Sequence, residues 1–190
     1  LARDLIAYGA DKVYVAEHDV LGHFSPLPFS HAVSELIAEY RPQIMLFAAT
    51  PLGRELAPRV AYRTNSGLTA DCTGLDLIDL RRAGKEYTGI LRQTRPALGG
   101  NIMASIITQN ADIQMSTARP GVMKALPRDD SRKGEIIRHT PRSAEEPAGV
   151  DLVSYEPIPP SAELSEAGAI VSGGAGLRTK ENYDTYIRPL

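Results

Sequence analysis

The sequence predicts an α/β fold in which a mostly parallel sheet with flanking helices is extended by antiparallel strands. Three observations predict it. Helical and strand patterns alternate from Leu1 to Asn65, as in βαβ units with right-handed crossovers. The run Gln43–Ala49 is nearly all apolar, which is expected of a strand in the middle of a parallel sheet. From Leu68 onward, short strand patterns separated by turns favour antiparallel hairpins.

The elements of the first half follow from periodicity and from residues that stop helices. Gly9 and Pro42 stand where the first two helical patterns must end. Pro58 lies inside the third pattern, where it either kinks the helix or occupies a first turn. The predicted elements in order are a helix at Leu1–Tyr8, a strand at Lys12–Ala16, a helix at Phe29–Tyr40, a strand at Gln43–Ala49 and a helix at Leu52–Asn65.

The second half contains mainly strand patterns. The segments Leu75–Leu80 and Tyr87–Thr94 flank a turn at Arg81–Lys85 and together predict a hairpin. Further strands are predicted at Asn101–Thr108, Ile113–Ala118, Glu135–His139 and Val150–Tyr155.

A domain boundary is expected where prolines cluster at positions 157, 159 and 160, because such a segment forms a stiff, extended linker. Beyond it, a strand is predicted at Ala169–Ser172, and a helix begins at Asn182. We therefore expect residues 1–158 to form an N-terminal α/β domain and residues 159–190 to hold the linker and the first βα unit of a second domain. Leu1 is not an initiator methionine and both ends fall within helical patterns, so we expect a fragment.

Composition excludes several classes of protein. The 190 residues carry 21 Lys and Arg against 23 Asp and Glu, which favours neither nucleic acid nor an acidic membrane as partner. The longest strongly apolar run, Ile44–Ala49, is too short to insert into a membrane. Cys72 is alone, which excludes an intrachain disulfide and fits a reducing compartment, the cytoplasm or the mitochondrial matrix.

The sequence contains no recognisable catalytic or metal-binding constellation. The four histidines are scattered, without the spacing of metal ligands, and Asp71 beside Cys72 argues against a nucleophilic thiol. Arg54 and Arg59 follow the end of an apolar strand, where open α/β sheets bind ligands. They could hold a phosphate or carboxylate, or they could form ion pairs with Glu55 and its neighbours on an exposed helix face.

Two short segments join Arg-Pro to glycine directly after predicted strands: QTRPALGGN (Gln93–Asn101) and ARPGVM (Ala118–Met123). Proline restricts the backbone, glycine permits close approach, and arginine offers a planar fork of donors. The structural alternative is a pair of turns whose arginines bond to loop carbonyls. We predict a preformed surface, called here the Arg-Pro surface, that faces a partner subunit or its cofactor. Its residues are Arg95, Pro96, Gly99, Gly100, Arg119, Pro120 and Gly121.

A glycine-rich segment, Ser172–Asn182, joins the last predicted strand to the last helix. Such a turn can point backbone N–H groups at an anion, and this predicts a weak cofactor contact at Gly173, Gly174 and Gly176. It can equally be a tight turn capped by Thr179, because the dinucleotide fingerprint would require glycine at that position.

Several long runs resemble one family. They are GRELAPRVA (Gly53–Ala61), SGLTADC (Ser66–Cys72), QTRPALGGNIMA (Gln93–Ala104) and QMSTARPGVM (Gln114–Met123), and they are similar to those of electron transfer flavoprotein alpha subunits, the EtfA/FixB family. SGGAGLRTKENY (Ser172–Tyr183) resembles the first βα turn of that family's FAD-binding domain. The resemblance extends over most of the chain, and the order of the runs makes it specific.

The resemblance implies an N-terminal domain with a nucleotide-alpha-hydrolase-like sheet and a C-terminal domain that binds FAD. It implies a heterodimer with a beta subunit, whose own site holds AMP, or a second FAD in bifurcating members. Such heterodimers carry electrons from dehydrogenases, among them acyl-CoA dehydrogenases, to a quinone oxidoreductase or to nitrogen-fixation or bifurcating systems. The chain would then be an electron-transfer subunit without catalytic residues of its own, since the cofactor carries the chemistry.

The chain departs from the family pattern in its glycine-rich segment. The family has an arginine that contacts FAD where this chain has Ala175, and the family's other FAD-binding motifs would lie beyond Leu190. The resemblance therefore makes residues 159–190 the start of a truncated FAD-binding domain. A stand-alone nucleotide-binding α/β module and a small hydrolase remain as alternatives.

Overall fold

The computed structural model describes residues 1–82, 84–109, 111–142, 150, 152–157, 164 and 167–190. They belong to two compact units, Leu1–Val150 and Asp151–Leu190. The proline-marked boundary after residue 158 stays a prediction, because Pro159 and Pro160 lie outside the described residues.

The helices and strands of the first unit occupy most of the predicted segments. Its helices are α1 (Ala2–Ala7), α2 (Pro26–Tyr40) and α3 (Pro51–Arg63). Its strands are β1 (Lys12–Ala16), β2 (Ile44–Ala48), β3 (Gly67–Cys72), β4 (Gly74–Arg82), β5 (Lys85–Ala97), β6 (Ile102–Ile107), β7 (Gln114–Ala118) and β8 (Glu135–His139).

Parallel pairing dominates around the core, and antiparallel pairing occurs in one sheet. Strands β2, β7 and β3 form a parallel sheet in that order, and β1 pairs in parallel with β8. Strands β4, β5 and β6 form an antiparallel sheet. The predicted class, an α/β fold with mostly parallel strands flanked by helices and an antiparallel extension, is confirmed.

The middle of the three-stranded parallel sheet is β7, and the expectation that Gln43–Ala49 would lie there is wrong. The chain returns from the antiparallel sheet and inserts β7 between β2 and β3. As a result, the four residues from Gln114 to Thr117 are all buried, whereas Leu46 on β2 is half exposed. Strand β7 tolerates polar residues despite this burial, because the side chains of Gln114, Ser116 and Thr117 form hydrogen bonds with neighbouring strands.

The core lies between the parallel sheet and the two long helices. Met115 at the centre of β7 is fully buried against side chains from α2, α3 and β2, among them Ile37, Val60 and Phe47. Helix α3 begins at a Thr50 cap, whose Oγ1 accepts the N–H of Gly53 at 3.2 Å, and Pro51 fits the first turn.

Polar side chains form hydrogen bonds between the antiparallel sheet and the parallel sheet. The side-chain oxygen of the buried Gln114 accepts the N–H of Leu91 at 2.7 Å, and its amide nitrogen donates to the carbonyl of Gly89 at 3.4 Å. Gln43 donates to the same carbonyl at 3.3 Å. Gln114 thus makes the two hydrogen bonds to β5 that a neighbouring strand would make. We call Gln43 and Gln114 together the glutamine clamp.

Strand β8 contacts α2 through polar side chains. His139, mostly buried, lies with Nε2 3.2 Å from Glu35 and Nδ1 3.7 Å from Glu39. This contact joins β8 to one face of α2.

The second unit is short, and its predicted strand is absent. Residues 169–172 have no strand structure, and neither have residues 152–155, because a strand requires a hydrogen-bonded neighbour. The predicted helix is present as α4 (Lys180–Tyr186), with Thr179 Oγ1 accepting the N–H of Asn182 at 3.3 Å.

Candidate functional site

The carboxyl ends of the three parallel strands meet at one edge of the sheet. The N–H of Ala49, after β2, donates to the carbonyl of Ala118 at 2.8 Å, and the N–H of Arg119, after β7, donates to the carbonyl of Cys72 at 3.0 Å. The ladder therefore continues one residue beyond the strands. It places the first turn of α3 and the Arg119–Gly121 segment at the same edge.

Asp71 lies at this edge and was not predicted as a site residue. The register of β3 shifts between Thr69 and Cys72, and Asp71 within this bulge has a φ of 63°, which is unusual for a residue other than glycine. Its N–H donates to Thr117 Oγ1 at 2.8 Å. The bulge turns the carboxylate, which is only 18% exposed, toward two arginines.

Asp71 forms ion pairs with both arginines at the edge. Arg54 grips both carboxylate oxygens, with Nη2 at 2.7 Å and Nη1 at 3.0 Å, while its Nε donates to the carbonyl of Ala49 at 3.0 Å. Arg119 Nη2 lies 3.8 Å from Asp71 Oδ2. Arg59 instead pairs with Glu55 on the exposed face of α3 at 3.4 Å. Of the two arginines considered on α3, therefore, Arg54 belongs to the edge and Arg59 to the helix surface.

The other Arg-Pro segment, Gln93–Asn101, lies at the end of β5. Arg95 and Pro96 pair with Ala104 and Met103 of β6. The turn that follows has positive φ at three successive residues, 46° at Leu98, 75° at Gly99 and 89° at Gly100. A Cβ added at either glycine meets no described atom within 4 Å, so the glycines are required by the turn itself and leave its surface open.

The structure brings the backbones of the two Arg-Pro segments to one place. The carbonyl of Cys72 accepts the N–H of Arg119, and the next residue, Thr73, donates its N–H to the carbonyl of Thr94 at 2.8 Å. The β3–β4 junction thus lies between Arg119 and the residue preceding Arg95. The side chains differ: Arg119 is paired with Asp71, whereas Arg95 Nε is 3.5 Å from the carbonyl of Pro96, the limit of a hydrogen bond.

Exposed apolar side chains flank both segments. Leu98 at the tip of the β5–β6 turn is 80% exposed, and more than half of Met103 is exposed. Val122 and Met123 follow Gly121 and are also exposed. Such side chains beside arginines are typical of surfaces that bind other proteins.

The glycine-rich segment of the second unit forms a compact turn. The N–H groups of Leu177, Arg178 and Thr179 donate to carbonyls within the turn, at 3.0, 3.1 and 2.7 Å. A Cβ at Gly173 would lie 2.1 Å from Leu177 Cδ1, so Leu177 would have to move if this glycine were replaced. Gly174 and Gly176 have open space on that side and present a surface that a flat ligand could approach. This arrangement fits a cofactor contact at these two glycines, and the three N–H groups named are already in use.

From the sequence, Asp71 is interpreted only as the neighbour of Cys72, and the strand that carries it, β3, is not predicted. Aspartate is one of the few residues other than glycine that adopt positive φ, but nothing in the sequence marks this position for it. Cys72 is buried and accepts a hydrogen bond from Ser116 Oγ at 3.0 Å. Within the described residues, no group of three or more His, Cys, Asp and Glu side chains is placed to hold a metal ion.

These features define an α/β protein whose parallel sheet carries a charged cluster at its carboxyl edge and whose antiparallel sheet presents an open arginine-glycine turn. Residues 1–144 match the electron transfer flavoprotein domain, and the chain belongs to this family.

Individual relatives agree with this family. The alpha subunit of the electron transfer flavoprotein of Thermoanaerobacterium thermosaccharolyticum is 43% identical over 97% of this chain and 54% of its own length. The protein FixB of Rhizobium meliloti is 38% identical over 94% of this chain and 49% of its own length. LctC, a subunit of the lactate dehydrogenase (NAD(+),ferredoxin) of Acetobacterium woodii, is 37% identical over 96% of this chain and 42% of its own length. The chain spans about half the length of these relatives.

Among the helices that the structure describes, none has both the length and the apolar composition that crossing a membrane requires.

Proposed function

We propose that the chain is part of an electron transfer flavoprotein alpha subunit that forms a heterodimer with a beta subunit and transfers electrons through FAD. The observation that carries this proposal is the family match over residues 1–144, together with relatives named as alpha subunits and FixB. The cofactor supplies the redox chemistry, while the protein supplies binding, orientation and partner contacts.

The Arg-Pro surface is the proposed contact with the beta subunit or its cofactor. Supporting it are the open turn at Gly99 and Gly100, the exposed Leu98 and the backbone proximity of the two segments. Arginine beside exposed apolar residues is a frequent composition of binding hot spots. The surface is preformed, because proline and the strand pairing of β5 with β6 restrict its backbone.

FAD is proposed to contact the second unit at Gly173, Gly174 and Gly176, with Ala175 in place of the family's arginine. Gly174 and Gly176 offer space for close approach, and Thr179 caps the helix that follows. Ala175 cannot supply a charged contact, so we expect the rest of the cofactor's affinity to come from residues outside this sequence. We propose residues 1–158 as the N-terminal domain and residues 159–190 as the linker and the start of the FAD-binding domain.

Dehydrogenases are the proposed electron donors, and the acceptor is a quinone oxidoreductase, a nitrogen-fixation system or a bifurcating partner. The relative LctC, 37% identical, is named as a subunit of a lactate dehydrogenase (NAD(+),ferredoxin), which supports a role in a redox system.

The test is to co-express the full-length protein with its beta subunit and to purify the complex by size exclusion. We expect coelution of the two subunits and flavin absorption in the visible region, with about one FAD or more per heterodimer. A colourless but stable complex would contradict electron transfer while retaining the heterodimer. Failure of the subunits to coelute would contradict the heterodimer itself, and a thermal shift with ATP or AMP would then favour a nucleotide-binding module.

A further inference from the structure

The carboxyl edge of the parallel sheet holds a pair of arginines that share one carboxylate, and Arg119 of this pair also belongs to the Arg-Pro surface. We call Arg54, Asp71 and Arg119 the strand-end cluster. The two arginines reach the same carboxylate from different elements, Arg54 from the first turn of α3 and Arg119 from the residue after β7. This is the edge at which open α/β sheets bind ligands.

The two guanidinium groups differ in how far their donors are occupied. Arg54 directs Nε to the carbonyl of Ala49 and both terminal nitrogens to Asp71. Arg119 lies 3.8 Å from the Asp71 carboxylate, beyond hydrogen-bond distance, and its side chain is 45% exposed. It makes no side-chain hydrogen bond to any residue that the structure describes. Arg119 therefore has side-chain N–H donors that no described residue accepts, while an ion pair with Asp71 holds it at the edge.

Asp71 is held in its unusual conformation by the surrounding structure. Its positive φ is a strained backbone for a residue with a Cβ, and the bond from its N–H to Thr117 Oγ1 fixes the bulge. Backbone strain that is held in this way concentrates at functional sites. The effect here is to place one carboxylate between two arginines.

The charge of the cluster favours an anion. Two guanidinium groups and one carboxylate leave one net positive charge, and Asp71 lies 2.7 and 3.0 Å from Arg54 nitrogens but 3.8 Å from Arg119. A phosphate oxygen accepts paired N–H donors in the geometry of the arginine fork, and such charge-assisted bonds are about twice as strong as neutral ones. Thr50 Oγ1 accepts the N–H of Gly53 as the cap of α3, and Arg119 is the cationic side chain at this edge whose donors no described residue accepts.

We propose that the strand-end cluster binds a phosphate-class oxyanion. The guanidinium group of Arg119 donates to the oxyanion, and Asp71 positions Arg119. The oxyanion is either free phosphate or the phosphate group of a nucleotide. All three residues lie within Leu1–Val150, so one unit of this chain supplies the whole cluster. Arg119 also belongs to the Arg-Pro surface, and the titration is therefore made on the protein without the beta subunit.

The test titrates the intact protein, without the beta subunit, with inorganic pyrophosphate by calorimetry, and follows the arginine Nε–Hε resonances by NMR. We expect saturable binding that shifts the Arg119 resonance. In Arg119→Gln, binding weakens about tenfold, the loss of a charge-assisted bond. The matched control is Arg59→Gln, which removes an arginine of α3 that is paired with Glu55 and leaves the affinity unchanged.

Two further titrations distinguish the source of the phosphate. A nucleoside monophosphate that binds more tightly than pyrophosphate indicates a nucleotide, whereas equal or weaker binding indicates free phosphate. The proposal is overturned if the nucleoside alone binds as well as its monophosphate, if Arg119→Gln binds as tightly as the wild type, or if no binding occurs up to about 10 mM pyrophosphate. Thermal unfolding of each variant without ligand shows whether it is folded. We expect Arg119→Gln to fold, because its half-exposed ion pair contributes little stability.

Discussion

At the scale of single residues, close backbone approach at the sheet edge limits what the chain tolerates. Gly53, in the first turn of α3, faces the end of β2, where an added Cβ would lie 1.8 Å from the carbonyl oxygen of Ala48. We predict that Gly53→Ala destabilises the protein by about 1–3 kcal/mol, because the helix must move away from the strand. Gly168→Ala is the control, since it meets no described atom. Denaturant unfolding measures both, and equal stabilities would contradict the prediction.

A single ion pair also predicts a dependence on acid. Arg128 donates to Asp4 at 2.9 Å, and this hydrogen bond holds the pKa of Asp4 below its ordinary value. A carboxylate whose pKa is lower in the folded state contributes stability above its unfolded pKa of about 4, and the contribution is lost as the pH falls through the folded pKa. Asp4→Asn should therefore lower Tm at pH 7 and have progressively less effect below about pH 4. A difference in Tm that persists undiminished at about pH 2 would contradict this.

At the scale of elements, the glutamine clamp determines how the antiparallel sheet is attached. We predict that Gln114→Leu costs about 1–3 kcal/mol, because it leaves the buried N–H of Leu91 without its acceptor. Gln43→Leu removes one exposed bond to Gly89 and should cost less than about 1 kcal/mol. Urea unfolding measures the free energy of unfolding of both variants. Equal losses of stability in the two variants would contradict the prediction.

Comparison of the predicted with the observed strands shows which sequence patterns are sufficient to predict a strand. Glu135–His139 and Lys12–Ala16 form strands with the predicted bounds because their β-branched, apolar runs agree with their environment. The strand β3 was not predicted as an element, because Gly67 and Asp71 are poor strand formers and only pairing with β7 makes the segment extended. The predicted strand at Ala169–Ser172 has the right composition and no partner among the described residues.

At the scale of the whole molecule, the exposed tip of the β5–β6 turn provides a test of the proposed heterodimer. Leu98→Glu places a charge where an apolar interface is proposed, so we predict that the dissociation constant for the beta subunit rises about tenfold or more. Tyr62→Glu changes another exposed residue, on α3, and should leave the affinity as it is. Both side chains are exposed, so both variants should unfold at the wild-type temperature. Equal affinities in a titration with the beta subunit would remove Leu98 from the interface.

The sequence by itself determined the class of fold, most of its strands and helices, and the family. It did so because periodicity, prolines, glycines and long motifs are local properties of the chain. It also predicted that Arg95 and Arg119 follow strands: Arg119 follows β7, whereas Arg95 lies inside β5, which extends to Ala97.

Only the tertiary structure decided how these pieces combine. The insertion of β7 between β2 and β3 creates the edge at which Arg54 and Arg119 meet Asp71. The positive φ of Asp71 depends on a bulge that is held by Thr117 from another strand. Contacts between residues distant in sequence depend on which strands become neighbours, and strand order is a property of the packed sheet that no local pattern encodes.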